Sequence, residues 1–263
     1  MANVHLHSWN VKPMRWGSDK DVQAALFHNA EQMGIDPESI ALAMPMFNPG
    51  DQRDYSKHGL IGTNSGAVFK QNSLSFDAED DYIAFSDNNQ FEGLGEYTVF
   101  ATVRRTGTLY TGASRVLNKV GGVLAFGFEP TNMSVWQGGW KDRPYTMPIN
   151  TDIQAAISFD GTDIHYYIDG IRLGSIAATT TGTGAGGLFI GNLRASSSAF
   201  WPGNIKQFLS TNQYSTPTQI ATLSDNPYQL WQPYIAPVYF DQAVTPVSTI
   251  LPIIMNYNQK MRS

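Results

Sequence analysis

The run from Ile153 to Gly170 constrains the fold more than any other part of the chain. Ile153, Ala155, Ile157 and Phe159 fall on every second position, and Ile164, Tyr166 and Ile168 do so again after Asp160-Gly161, with Asp169-Gly170 closing the run. Period-two spacing puts successive side chains on opposite faces of an extended strand. Asp-Gly supplies the positive φ that tight hairpin turns require, so the run predicts successive strands of an antiparallel meander. Tyr97, Val99, Ala101 and Val103 alternate in the same way with Thr98, Phe100, Thr102 and Arg104, a strand with two distinguishable faces. Further strands are predicted near 73–77, 81–85, 114–120, 122–128, 131–137, 171–178, 186–191 and 203–211. Many short strands separated by Gly-rich turns specify an all-β sandwich or barrel.

Composition supports that reading. Charged residues are 15% of the 263, against a typical ~25%, while Gly and Pro number 24 and 14. This balance disfavours surface helices rich in Lys and Glu. A hydrophobic fraction of 42% with 12% aromatics excludes a disordered chain. The formal charge of −5 provides no basic surface for phosphate backbones, so nucleic acid is not an expected partner. With 0 cysteines, disulfides, thiolate metal sites and cysteine nucleophiles are excluded. No apolar run of signal-peptide or membrane-span length is read, and Pro252 breaks the longest late apolar stretch.

Three zones differ in texture. Over 1–45 an N-terminal extension, partly helical, is expected: Val22, Ala25, Leu26, Ala30 and Met33 share a helical face, Ser18 or Asp19 is the N-cap and Gly34 the stop. A second helical turn is expected at Asp36-Pro37. The sandwich is assigned to 46–232 and is expected to fold alone. Its inner face is expected to hold Phe76, Ile83, Val99, Ile157, Tyr166, Ile168, Leu188, Ile190 and Ile205. Thr216 is its N-cap and Pro217 the first residue of a closing helix that carries Ile220 and Leu223. From 233 to 263 runs an apolar arm punctuated by Pro233, Pro237, Pro246 and Pro252. Its Tyr234, Ile235, Tyr239, Phe240, Ile250, Leu251, Ile253 and Ile254 are expected to dock on another polypeptide, since a free arm would leave them in water.

The segments LSFDAEDDYIAF (74–85), EYTVFATVRR (96–105), ISFDGTDIHYYIDGIRLGS (157–175) and GGLFIGNLRASSSAFWPGNIKQFLSTNQYSTPTQIATL (186–223) resemble, in order and spacing, pieces of a laminin-G-like, concanavalin A-like jelly roll. That resemblance covers about 48–232 and implies a β-sandwich. The stretch LSDNPYQLWQP with the extended tail behind it is similar to the ends of laminin-G-like structural proteins of tailed bacteriophages. It implies a location in the virion and, as partners, the major capsid protein or further copies of this chain in a homo-oligomer.

Chemistry-bearing residues are sparse. Glycosidases on such sandwiches present acidic side chains two apart on one strand, and Glu-x-Asp-x-x-Glu does not occur; neither does Gly-x-Ser-x-Gly. No enzyme activity is expected. Asp77, Glu79, Asp80 and Asp81 read first as a solvated turn and second as a rim calcium site; no other cofactor is expected. His5, His7, His28, His58 and His165 are scattered, which favours packing over metal ligation. The segment from Trp136 to Tyr145 reads as a loop whose Trp140, Asp142, Arg143 and Tyr145 combine rings that stack on a sugar with groups that bond its hydroxyls. Covering a sheet edge or a neighbouring subunit is the alternative for the same rings. Trp201 is expected to plug an end of the sandwich. These readings lead to a non-enzymatic virion structural protein, a capsid decoration or cement protein or an appendage protein, with a carbohydrate-binding module for host glycans as the alternative.

Overall fold

The computed structural model describes residues 18–46, 52–70, 72–87, 89–192 and 199–233; the C-terminal arm residues from Tyr234 to Ile254 fall outside them. The described chain opens with α1 (Asp19–Gln32), a 3-10 turn (Pro37–Ser39) and β1 (Ile40–Met44). Next come β2 (Thr63–Ser65), β3 (Val68–Phe69), β4 (Leu74–Asp77), β5 (Tyr82–Phe85) and β6 (Tyr97–Arg105). A meander follows: β7 (Ser114–Lys119), β8 (Leu124–Phe128), β9 (Asn132–Trp136) and β10 (Trp140–Pro144). The last strands are β11 (Asp152–Phe159), β12 (Asp163–Ile168), β13 (Ile171–Ala177), β14 (Leu188–Ile190) and β15 (Pro202–Thr211), before α2 (Pro217–Asp225) and a 3-10 turn (Gln229–Trp231).

Two antiparallel sheets form the sandwich. The first runs β13-β12-β11-β6-β15-β4-β3, with β1 also paired to β15; the second runs β10-β9-β8-β7-β14-β5-β2. β15 is long enough to serve two partners along one edge: residues 202–205 pair with β4 and residues 208–211 with β1. All nine residues expected on the inner face lie in the core between the sheets. Trp201, fully buried, meets Phe128 at 5.9 Å and plugs the core as expected.

The hairpin turns differ in kind. Asp169 and Gly170 both take positive φ, 50° and 78°, a two-residue turn as expected from Asp-Gly. At Asp160-Gly161 only the glycine does, and the wider turn is held by the Asp160 carboxylate, which accepts from the amides of Thr162 and Asp163 at 2.9 and 2.8 Å. Those bonds, with the one from His165, stabilise the carboxylate and hold its pKa down to about 2.

The outer face of the first sheet is sealed. Val22, Leu26 and Ala30 of α1, Ile220 and Leu223 of α2, and Leu230 and Trp231 pack on Phe100, Ala156, Tyr167 and Leu209 in a second core. Ser18 caps α1, and Thr216 caps α2 in a reciprocal capping box with Gln219. The extension expected over 1–45 is corrected here: Ile40–Met44, an unbroken apolar run, is a strand of the first sheet, and α1 lies on that same sheet. All five residues of β1 are buried because the sandwich covers one face and the helical layer the other. A boundary at residue 45 therefore cuts through the packed unit.

Candidate functional site

No described helix packs on the outer face of the second sheet; Trp136 and Trp140 reach solvent there, while Arg115, Asn118, Ala125 and Ser134 on β7 to β9 lie buried beside them. The 136–145 segment, expected to be a loop, is a hairpin: β9 and β10 pair from Trp136↔Trp140 to Asn132↔Pro144 around a turn in which Gly138 and Gly139 take φ of 63° and 142°. Gln137 pins that turn to the sandwich, accepting from the Tyr97 hydroxyl at 2.6 Å and donating to the Thr179 carbonyl.

Because β10 is a strand, the four expected site residues divide between its two sides. Trp140 and Asp142 are exposed on the open face. Arg143 points away from it: its Nε and Nη2 donate to the Leu173 carbonyl of β13 at 3.1 and 2.7 Å, closing the seam between the two sheets. Gly174 provides the room, since a Cβ there would lie 2.3 Å from the guanidinium. Tyr145 packs against the inner core, 6.3 Å from the Phe128 ring, and burial pushes its phenol up to about 12. Arg143 and Tyr145 are thus seam and core residues, a correction that follows from the period of two.

The residues that join Trp140 come from other strands. The register aligns Asn118, Ala125, Trp136 and Trp140 in one row across β7 to β10, and Arg115, Gly127, Ser134 and Asp142 in the next. Arg115 and Asn118 share the outer face although they are three apart, because the β7–β8 register shifts between Arg115 and Leu117 and Val116 turns into the core. Gly127 permits this approach: a Cβ there would meet the Ser114 carbonyl oxygen at 2.1 Å. With only small side chains at 125, 127 and 134 between them, Arg115 crosses the face and places its guanidinium carbon 4.1 Å from the Trp140 ring centroid. Trp136 meets Trp140 edge to face at 5.2 Å and donates its indole N–H to the Gly122 carbonyl at 2.9 Å.

Together these residues line a cleft of about 240 Å³, walled by Trp136 and Trp140, with Arg115, Asn118 and Ala125 on the sheet and Val120, Gly121 and Gly122 at its end. The end wall is fixed from behind. Lys119, fully buried, donates to Asp87 and to the Gly186 carbonyl at 2.7 Å and sits 2.9 Å from Glu92, tying Asp87, Glu92 and the 184–186 segment to β7. Arg115 is 2% exposed, and burial lowers its guanidinium to about 10 against the opposing pull of Glu129 and Asp142, so it is cationic at neutral pH. Its Nε and Nη1 have no hydrogen-bond partner. Sequence reasoning did not name Trp136 as a site residue and did not reach Arg115 or Asn118. Trp136 and Trp140 flanking Gln-Gly-Gly was the available signal for the pair, whereas nothing local marks Arg115.

Asp77, Asp80 and Asp81 form the only group of three or more His, Asp or Glu ligand atoms within 4.8 Å of one another among the described residues. Glu79 is not in that group. The turn's own hydrogen bonds explain the convergence: Asp81 accepts from the Asp77 amide at 2.7 Å and Asp77 from the Glu79 amide at 2.8 Å. Burial, with Asp77 and Asp80 beside it, raises the Asp81 carboxyl.

The sandwich is similar to several solved structures. Domain 4 of AbnA, a GH43 extracellular arabinanase from Geobacillus stearothermophilus solved in complex with arabinotriose, superposes with a TM-score of 0.58 at 17% identity, over 71% of this chain and 98% of that one. The binding domain of Paraclostridial Mosquitocidal Protein 1 gives 0.59 at 11% identity, over 74% of this chain and 55% of that one. Trypanosoma rangeli sialidase in complex with a difluorinated sialic-acid-type sugar gives 0.58 at 15% identity, over 73% of this chain but 33% of that one. At these identities the likeness is one of fold. No curated protein sequence is significantly similar to the chain. The laminin-G family model of the concanavalin A-like lectin/glucanases matches residues 77–221. With that match spanning more than half of its length and the two-sheet jelly roll around it, this chain belongs to the concanavalin A-like lectin/glucanase superfamily, in its laminin-G-like family.

Proposed function

We propose that this chain is a carbohydrate-binding domain that takes a glycan on the open face of its second sheet, with Trp140 and Trp136 as the stacking surface. The observation that carries this reading is the cleft itself: two indoles, one anchored by Gly122, beside a guanidinium and an amide on a sheet that no described helix covers. Aromatic faces with a few fixed polar groups are the composition that sugar recognition uses. The cleft is lined by no carboxylate among the described residues, so it offers binding without the paired acids that glycoside hydrolysis employs, in keeping with a non-enzymatic role. Relatives in fold that are solved with sugars or are binding domains add support. On a glycan array the intact protein is expected to retain a defined set of oligosaccharides. Trp140→Ala should weaken that binding at least tenfold, or ~1.4 kcal/mol, while lowering the melting temperature by no more than about 4 °C. Failure to retain any glycan, or undiminished binding by the variant, would overturn the proposal.

A virion location is a second, compatible proposal, since a glycan-binding domain suits a host-recognition appendage. It is carried by the apolar stretch after Gln232, which would dock on the capsid protein or on another copy of the chain. Truncation after Gln232 should abolish self-association or particle attachment and leave the fold intact; attachment by the truncated chain would sink the idea.

A further inference from the structure

The cleft contains a buried cation that forms no ion pair among the described residues, with Glu129 and Asp142 acting on it only from further off. Arg115 is 2% exposed, two of its guanidinium nitrogens donate to nothing, and no described carboxylate comes within the 4.0 Å of an ion pair with it. Ser134, one strand beyond Gly127 in the same cross-strand row, also has a buried hydroxyl without a partner. A buried donor left unsatisfied costs ~1–3 kcal/mol, and a charged one more. The fold's other buried cation shows the contrast: Lys119 has Asp87, Glu92 and two carbonyls. Among the described residues that cost is offset only by the face of Trp140 and by the more distant attraction of Glu129 and Asp142.

We infer that the glycan is acidic, and that a carboxylate on the sugar docks on the guanidinium of Arg115 while the ring stacks on the tryptophans. This inference rests on the glycan-binding reading above. A carboxylate matches the single cation one to one, whereas a phosphate monoester brings about −1.5 to −2 charges at neutral pH. The groups facing the guanidinium are Asp142 on β10 and Glu129 just beyond β8. Asp142 is exposed and Glu129 half-exposed, so solvent screens their repulsion of an incoming anion more than it screens the attraction of the buried guanidinium. Trp140, 40% exposed, lies over the guanidinium, so the carboxylate reaches Arg115 as that indole turns aside and offers its face to the sugar.

The test is an array that carries uronate- and sialate-containing oligosaccharides, each printed beside its methyl ester, with neutral and phosphorylated glycans as further arms. The intact protein is expected to bind the acids at least tenfold more tightly than their esters. Arg115→Met should abolish the preference, lowering acid binding by more than ester binding until the two are equal. Equal binding of acid and ester, a preference for neutral or phosphorylated glycans, or an equal loss of acid and ester binding in Arg115→Met would each overturn the carboxylate while leaving glycan binding in place. Retention of no glycan would overturn both readings. The acid-to-ester comparison needs only the unaltered protein, so the inference stays falsifiable should Arg115→Met fail to fold.

Discussion

The two sheets share one core between them but differ on their outer faces. Outside the first sheet, Phe100, Ala156, Tyr167 and Leu209 are covered by α1, α2 and Trp231. Outside the second, Trp136 and Trp140 have no described helix above them, and Trp140 keeps 40% of its surface exposed. Both faces carry large rings, so apolar content alone does not separate a structural face from a binding one. The difference is whether the chain supplies the covering layer. On the first sheet it does, using segments that come before and after the strands of the family match. On the second the described residues supply no such layer, and the two indoles lie at the surface with the guanidinium of Arg115 buried against one of them.

This contrast can be broken in two ways. The largest effect should come from removing the cover: a fragment of residues 46–232 lacks α1 and β1, leaves the second half of β15 unpaired on one edge and bares Phe100, Leu209 and Trp231. We expect it to lose its cooperative thermal transition by circular dichroism; a melt close to that of the full chain would show that the helical layer is dispensable and the two faces equivalent. Next come matched substitutions. Trp231→Ala empties a fully buried site and removes the hydrogen bond to Gln207 at 3.0 Å, at a cost of about 3–5 kcal/mol in denaturant unfolding. Trp140→Ala on the open face should cost less than about 1 kcal/mol, its effect falling instead on ligand binding. Similar losses of stability from the two variants would mean that the open face is structural.

Much of the fold was legible because its signals are local. The Asp169-Gly170 turn, the Ser18 and Thr216 caps and the inner-face residues of β6, β11 and β12 each follow from a few adjacent residues. Four strands were not read: β2 and β3 are only three and two residues long, and the other two were missed for identifiable reasons. β1, Ile-Ala-Leu-Ala-Met, is buried on both faces and so shows no alternation. β10, Trp-Lys-Asp-Arg-Pro, is a polar edge strand behind Gly-Gly and looks like loop. The candidate site was legible only in part: of the four residues named from sequence Trp140 alone lines the cleft, Asp142 shares its face, and Arg143 and Tyr145 were grouped with them because neighbours in a loop were assumed to face one way.

The sequence by itself determined the strands, their turns and the inner face of the sandwich, because periodicity and turn chemistry act over a few residues. The tertiary structure alone decided which outer face is covered and what meets Trp140. α1 and α2 reach the first sheet through packing between segments some two hundred residues apart. Arg115 reaches Trp140 through a register shift at Val116, a glycine at 127 that lets two backbones close, and small residues on the strands between. Each of those contacts depends on which strands pair and in what register, a property of the assembled sheet that no single stretch of chain encodes.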